Sequence, residues 1–143
     1  MCNEKYDAIF NLFTSFGYFE NDADNYKTIK AIHNSLTETG FAVIDFMNVD
    51  YVLENLVANE IKSVDGIDFH IKRYLKDGHI YKEIDFEDKG EKFHFTEKVQ
   101  ALRLEDFEKM MEEAGIYLLD IFGDYKLRKF FKTQSERLIM IFK

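Results

Sequence analysis

Proline is absent from this chain of 143 residues, and cysteine occurs only once, at Cys2. Without proline, or a stretch rich in serine and glycine, no linker is visible, so the sequence predicts one domain over residues 1–143. A lone cysteine excludes an internal disulfide and a tetrathiolate metal site. Its place in a terminal segment also argues against a cysteine nucleophile, and the low cysteine content favours a reducing cytoplasm.

Long apolar runs and positive charge are also scarce. No run approaches the ~20 apolar residues that a transmembrane helix needs, which argues against a membrane partner. With 19 Lys and Arg against 27 Asp and Glu, the formal net charge is −8. Nucleic acid needs clustered positive charge and is therefore a poor partner. Hydrophobic residues, in contrast, make up 46% of the chain, with fifteen Phe and eight Tyr, which is ample for a globular core.

The first sixty residues follow a strand, helix, strand pattern. Residues 6–13 and 41–47 are short, mostly apolar runs, typical of parallel strands that are buried on both faces. Between them, apolar residues recur at helical spacing: Tyr26, Ile29, Ile32 and Leu36. In such a βαβ unit, ligands approach the carboxyl ends of the strands, which here means residues 11–18 and 46–50.

An antiparallel meander is predicted over residues 61–102. Apolar and polar residues alternate from Ile67 to Leu75, and Asp77-Gly78 then forms a strong hairpin signal. With Lys89-Gly90 as the second turn, one register pairs apolar residues throughout: Leu75 with Ile80, Ile71 with Ile84, Ile84 with Phe95, and Phe86 with Phe93. Two turns join three strands, although Lys89 must then adopt a left-handed conformation.

The last forty residues predict a helix and two strands. A helical stripe spans residues 104–114 and ends at Gly115, and apolar strands follow at residues 116–122 and 137–142. We expect the two strands to form an antiparallel pair. The chain is thus α/β, with a βαβ unit over 1–60, the meander over 61–102 and the terminal elements over 103–143.

The meander register aligns three charges on an otherwise apolar face. Arg73, Lys82 and Glu97 form one row, which is costly unless the charges are paired or solvated. One hypothesis is that the row faces an active-site mouth and Arg73 recognises an anionic group of a substrate. The other interpretation is an exposed ion row or an oligomer contact. No metal site is expected, because no ligand spacing stands out among the histidines: His33, His70, His79 and His94.

Two runs carry a resemblance: YDAIFNLFTSFGYF at 6–19 and SLTETGFAVIDFMN at 35–48. The first resembles the fourth strand and following loop of class I S-adenosylmethionine-dependent methyltransferases of the small-molecule type. The second is similar to the fifth strand of that family, although the usual proline and double glycine are missing, and residues 95–116 resemble its last helix and sixth strand. The resemblance implies the C-terminal half of a Rossmann-like methyltransferase sheet, with the meander as an antiparallel insertion.

The resemblance also implies where ligands bind. It places S-adenosylmethionine against four residues: Asn11, Leu12, Phe13 and Phe16. It places a small-molecule methyl acceptor near Ser15 and Tyr18. The other interpretation is that Phe13, Phe16 and Phe19 are simply core aromatics. No catalytic group or metal is expected, because methyl transfer depends chiefly on alignment of the reactants.

Two polar residues close the fifth-strand match. Asn48 and Asp45 lie where the strand ends, facing the predicted crevice, and we predict that they position the acceptor. The alternative for Asp45 is that it caps the turn into residues 49–56, and the sequence does not decide between the two.

The family's glycine-rich cofactor turn has no counterpart in these 143 residues. The seven glycines are too dispersed to form one: Gly17, Gly40, Gly66, Gly78, Gly90, Gly115 and Gly123. We therefore expect a truncated methyltransferase that is inactive alone and forms a homodimer through its exposed sheet edge. The alternative is a non-catalytic dimerisation or interaction module derived from a methyltransferase. A third possibility, a different enzyme built on the Arg73 row, lacks a nucleophile.

Overall fold

The computed structural model describes residues 4–143, so Cys2 lies outside the described residues. These residues form two compact units, one containing residues up to 52 together with 102–143, the other residues 53–101. No helix within residues 4–143 is long and apolar enough to cross a bilayer. The elements follow in the order β1 (Tyr6–Asn11), α1 (Asp22–Asn34), β2 (Leu36–Met47), α2 (Val49–Glu54), β3 (Asn59–Val64), β4 (Ile67–Lys76), β5 (His79–Asp88), β6 (Glu91–Gln100), α3 (Leu104–Ala114), β7 (Leu118–Phe122) and β8 (Arg137–Phe142).

The first unit contains a mixed sheet with the strand order β1-β2-β8-β7. β1 and β2 are parallel and joined through α1, whereas β8 is antiparallel to both of its neighbours. The predicted βαβ unit and the predicted terminal strand pair are therefore confirmed. β2 is central and accordingly apolar, with Ile44 and Phe46 fully buried.

β2 begins earlier than the apolar run suggested. Leu36, predicted as the last residue of the helix stripe, is the first residue of β2, because α1 ends at Asn34 and Ser35 caps it. The prediction missed this start since three polar residues, Thr37 to Thr39, separate Leu36 from the apolar run.

The core of the first unit centres on α3. Phe107 is fully buried, and its ring centroid lies 5.4 Å from that of Phe16 and 5.3 Å from that of Phe46. Met110 and Met111 complete the buried stripe, and α3 also contacts α1. Gly115 ends the helix with a φ of 70°, as the sequence predicted.

The second unit is an antiparallel sheet with the order β3-β4-β5-β6. The predicted register of the last three strands is confirmed, including the pairs Leu75 with Ile80 and Phe86 with Phe93. Both predicted turns have a left-handed first residue, with a φ of 50° at Asp77 and 51° at Lys89. β3 is an additional strand that the three-strand prediction did not include.

Candidate functional site

A strained turn follows β1 at the carboxyl ends of the parallel strands. Phe13 and Thr14 both have positive φ angles, 58° and 55°, although neither is glycine or asparagine. Each such residue costs about 1–2 kcal/mol, so the surrounding structure must hold the turn in place. Just before the turn, the Oδ1 atom of Asn11 is buried and has no hydrogen-bond partner among residues 4–143.

Asp45 on β2 is the residue that holds this turn. Its side chain is 1% exposed, and its Oδ2 atom accepts hydrogen bonds from the Phe13 amide and the Tyr125 hydroxyl, both at 2.9 Å. Its main-chain carbonyl accepts one from the Thr14 amide, also at 2.9 Å. The carboxylate therefore binds the turn after β1 and not the start of α2, which was the capping alternative.

Arg137 balances the charge of Asp45. Its Nε and Nη2 atoms lie 2.9 and 2.8 Å from Oδ1 of Asp45, and Nη2 also donates to Oγ1 of Thr14 at 2.9 Å. Arg137 opposes Met47 in the β2–β8 ladder, two positions from Asp45, so its long side chain reaches diagonally across. The ion pair thus joins β2, β8 and the turn.

A second loop brings Tyr125 to the same place. A Cβ atom at Gly123 would lie 2.2 Å from Oγ of Ser135, so only glycine allows this close packing. Asp124 then accepts hydrogen bonds from the Lys126 and Arg128 amides, which fixes the loop that follows β7. The guanidinium of Arg137 lies 5.7 Å from the centre of the Tyr125 ring.

Exposed aromatic rings cover this polar network. Phe13 is 73% exposed and Tyr125 59% exposed, and their rings meet edge to face with centroids 6.3 Å apart. Tyr18, in the same loop as Phe13, is also exposed. Exposed rings above a paired, buried charge can receive an organic ligand, and aromatic faces favour a cationic one.

The Tyr125 hydroxyl is held in its protonated form. Desolvation, followed by the hydrogen bond to Asp45, raises the pKa of Tyr125 above the usual tyrosine value, while the charge of Arg137 opposes the rise. The hydroxyl is therefore a hydrogen-bond donor at neutral pH. Because folding raises the pKa of Tyr125, the protonated hydroxyl contributes its full stability at neutral pH. That contribution is lost as the pH rises through the pKa of Tyr125 in the folded protein.

The other predicted site residues are placed differently. Phe16 is buried against Phe107 in the core, and the Ser15 hydroxyl donates to the Leu12 carbonyl. Asn48 is buried and donates both amide hydrogens to main-chain carbonyls, those of Lys132 at 2.8 Å and Ser135 at 2.7 Å. The ligand contacts predicted for Leu12, Phe16, Ser15 and Asn48 stay predictions.

Arg73 belongs to the second unit, in which the predicted charge row is present. Arg73 aligns with Lys82, and Lys82 aligns with Glu97. Arg73 Nη1 lies 2.9 Å from Glu60 Oε2 on β3, and Lys82 Nζ lies 3.9 Å from Glu97 Oε2. Every charge of the row is thus paired within its own sheet, which agrees with the interpretation as an ion row; the acceptor role of Arg73 stays a prediction.

Tyr125 and Arg137 are site residues that the sequence patterns did not reveal. Tyr125 lies between the two predicted terminal strands, and Arg137 was predicted only as the first residue of the last strand. The available signal was a charged residue at the head of an otherwise apolar strand, because Arg137 precedes the run from Leu138 to Phe142. A charge at that position needs an opposite charge nearby, and Asp45 is the only acidic residue in the apolar run at 41–47.

Two curated relatives match most of this chain. It is 27% identical over 124 residues to the glycine/sarcosine/dimethylglycine N-methyltransferase of Actinopolyspora halophila, a match that covers 85% of this chain and 21% of that protein. It is 26% identical over 125 residues to the glycine/sarcosine N-methyltransferase of Halorhodospira halochloris, a match that covers 85% of this chain and 45% of that protein. The chain therefore spans less than half the length of either relative. No family model matches it.

A solved structure shares the fold. An S-adenosylmethionine-dependent methyltransferase from Clostridium acetobutylicum superposes with a TM-score of 0.85 at 24% identity, over 99% of this chain and 59% of that one. The predicted resemblance to class I S-adenosylmethionine-dependent methyltransferases is confirmed, and so is the predicted fold class, part of a Rossmann-like sheet with an antiparallel insertion.

Proposed function

We propose that this chain supplies the C-terminal part of an S-adenosylmethionine-dependent methyltransferase that acts on a small molecule in the cytoplasm. The observation that carries the proposal is the strained turn at residues 13–14, which Asp45 of β2 holds in place. This turn lies at the carboxyl end of β1, and α/β sheets bind their ligands at that end of their strands. The shared fold and the names of the two curated relatives support the reaction class and favour a small amine as the acceptor.

The residues around the turn fit the proposed cofactor. The buried Oδ1 atom of Asn11 lacks a donor among the described residues, and the amino group of a bound methionine moiety would provide one. Asn11, Leu12 and Phe13 would hold that moiety, and the Phe13 ring would face the sulfonium. The cofactor would supply an electrophilic methyl group. Ser15 and Tyr18 would orient the acceptor so that its lone pair points at that methyl group, in line with the bond from the methyl carbon to sulfur.

We expect the chain alone not to bind S-adenosylhomocysteine. No glycine-rich turn for the nucleoside and carboxylate is present in these 143 residues. A ligand at a hundred times its dissociation constant would stabilise the fold by about 2.7 kcal/mol, so calorimetric titration and a thermal melt both detect binding readily. Binding at micromolar affinity would show instead that this chain rebuilds a cofactor pocket.

A chimera tests the methyltransferase proposal itself. The part of the C. acetobutylicum protein outside the match would be joined to the amino end of this chain, and the product should bind S-adenosylhomocysteine. The control is the same chimera carrying Asn11→Leu, which removes the buried amide oxygen and should weaken binding by about tenfold. A chimera that melts cooperatively yet gives no heat with the ligand would overturn the proposal.

Self-association is the second candidate function, favoured by the surface of β1. This strand is an edge of the described sheet, and next to it a groove of about 530 Å³ is lined by Tyr6, Ala8, Ile9, Thr28, Ala31, Ile32 and Ser35. Phe10 on the same strand is 59% exposed. A second copy pairing with β1 would cover this apolar surface.

Sedimentation velocity at micromolar concentration is expected to show a dimer. Phe10→Lys should convert the dimer to a monomer, because it places a charge on the proposed contact. Leu119→Lys is the matched control, since Leu119 is 53% exposed and lies on β7, at the opposite edge of the sheet. A stable monomer for the unmodified chain would exclude the homodimer.

A further inference from the structure

The Phe13–Thr14 turn is hydrogen-bonded to two residues that are remote in sequence, Asp45 and Arg137. The Phe13 amide donates to the Asp45 carboxylate, and the Thr14 amide donates to the Asp45 carbonyl. The Thr14 hydroxyl accepts from Arg137. Two consecutive left-handed residues are unfavourable in isolation, so these contacts select the conformation of the turn.

The same contacts determine what the turn presents. Asn11 lies at the end of β1 with its amide oxygen buried, and the exposed ring of Phe13 rests edge to face against Tyr125. Tyr125 in turn donates its hydroxyl hydrogen to the Oδ2 atom that accepts the Phe13 amide. The Oδ2 atom of Asp45 thus fixes both the backbone of Phe13 and the position of Tyr125, whose ring contacts that of Phe13.

We infer that Asp45 and Arg137 are positioning residues, which hold the Phe13–Thr14 turn and Tyr125 in the arrangement that receives the ligand. The identity of that ligand rests on the proposed function, whereas the positioning itself does not. Asp45 and Arg137 act through the turn, because both carboxylate oxygens of Asp45 are occupied, Oδ2 by Phe13 and Tyr125 and Oδ1 by Arg137. A turn that is already ordered spares a ligand the entropic cost of ordering it.

Amide hydrogen exchange tests the positioning directly. Asp45→Asn keeps the shape of the side chain but removes its charge and one of its two acceptor oxygens. The Phe13 amide should then exchange at least tenfold faster, on the order expected from the loss of a charge-assisted hydrogen bond. The Thr14 amide keeps its main-chain acceptor and should exchange faster because the turn is less firmly held. The amides of Ile44 and Met140, in the centre of the sheet, serve as internal references and should change less.

Asp50→Asn is the matched control. Asp50 forms another Asp–Arg pair of this unit, with Arg103 Nε at 3.1 Å, and it belongs to α2 rather than to the turn. The Asp50→Asn substitution should leave the hydrogen exchange rates of the Phe13 and Thr14 amides unchanged. Thr14→Ala provides a milder test without an unpaired buried charge, since it removes only the hydroxyl bond to Arg137, and it should accelerate exchange at the turn by severalfold.

A spectroscopic readout separates positioning from general loosening. Asp45→Asn should lower the pKa of Tyr125 toward the ordinary tyrosine value, seen in the tyrosine ring resonances as a function of pH, while Asp50→Asn should not. Unchanged exchange at Phe13 and Thr14 in Asp45→Asn, or equal acceleration at Ile44 and Met140, would overturn the inference. Neither measurement needs a cofactor, so failure of the chimera to bind S-adenosylhomocysteine is a separate result.

Discussion

Replacing Arg137 with alanine is expected to lower the free energy of unfolding by about 3 kcal/mol, because it leaves a buried carboxylate without its counter-charge. Asp45 would keep the Phe13 amide and the Tyr125 hydroxyl as donors, but both are neutral. Urea unfolding followed by circular dichroism measures the change. The midpoint should fall while the slope stays constant, because the surface exposed on unfolding is nearly the same.

Arg103→Ala is the control for this prediction. The pair of Arg103 with Asp50 also joins a guanidinium to a carboxylate in the same unit, but its arginine side chain is 40% exposed. Water replaces the lost partner there, and the expected change is at most about 1 kcal/mol. Equal effects of the two substitutions would show that burial of Asp45 does not determine the stability contributed by its ion pair.

Replacing Phe107 with alanine is expected to cost about 3–5 kcal/mol, the range for a large aromatic side chain removed from a packed interior. Phe107 is fully buried between Phe16 of the loop after β1 and Phe46 of β2. The cavity would lie beneath the candidate site, so the turn at residues 13–14 should also lose protection against hydrogen exchange.

The matched control is Leu119→Ala, at a position that is exposed on β7. It removes an apolar side chain from the same unit without opening a cavity, and we expect a change within about 0.5 kcal/mol. If Phe107→Ala were as mild, the packing of Phe16 against α3 would not be part of the core, and the predicted ligand contact of Phe16 would gain support.

Local patterns were sufficient to predict most elements of the fold. Alternation with a turn signal at Asp77-Gly78 defined the register of β4 and β5, because a one-residue slip would have turned every apolar side chain to the other face. β3 escaped prediction because its apolar residues are only Ile61 and Val64. Its turn into β4, Asp65-Gly66, carries the same dipeptide signal, with φ angles of 51° and 77°.

The residues of the candidate site that the sequence predicted lie at the ends of the two apolar runs of the βαβ unit. Residues 11–13 follow an apolar run directly, so the carboxyl end of a strand could be located. Tyr125 and Arg137 could not be assigned, because their place depends on β8 lying between β2 and β7. The apolar runs predict that the last two strands pair with each other, but periodicity carries no information on whether β8 also lies beside β2.

The ladder between β2 and β8 has a consequence for the order of folding. Asp45 and Arg137 are separated by 92 positions, whereas β4, β5 and β6 are joined by tight turns. Closing the longer loop has a larger entropic cost, so we expect the hairpins of the second unit to form early and the β2–β8 ladder to form late. Until β8 docks, the central strand β2 has an open edge, and this intermediate is the species most at risk of aggregation.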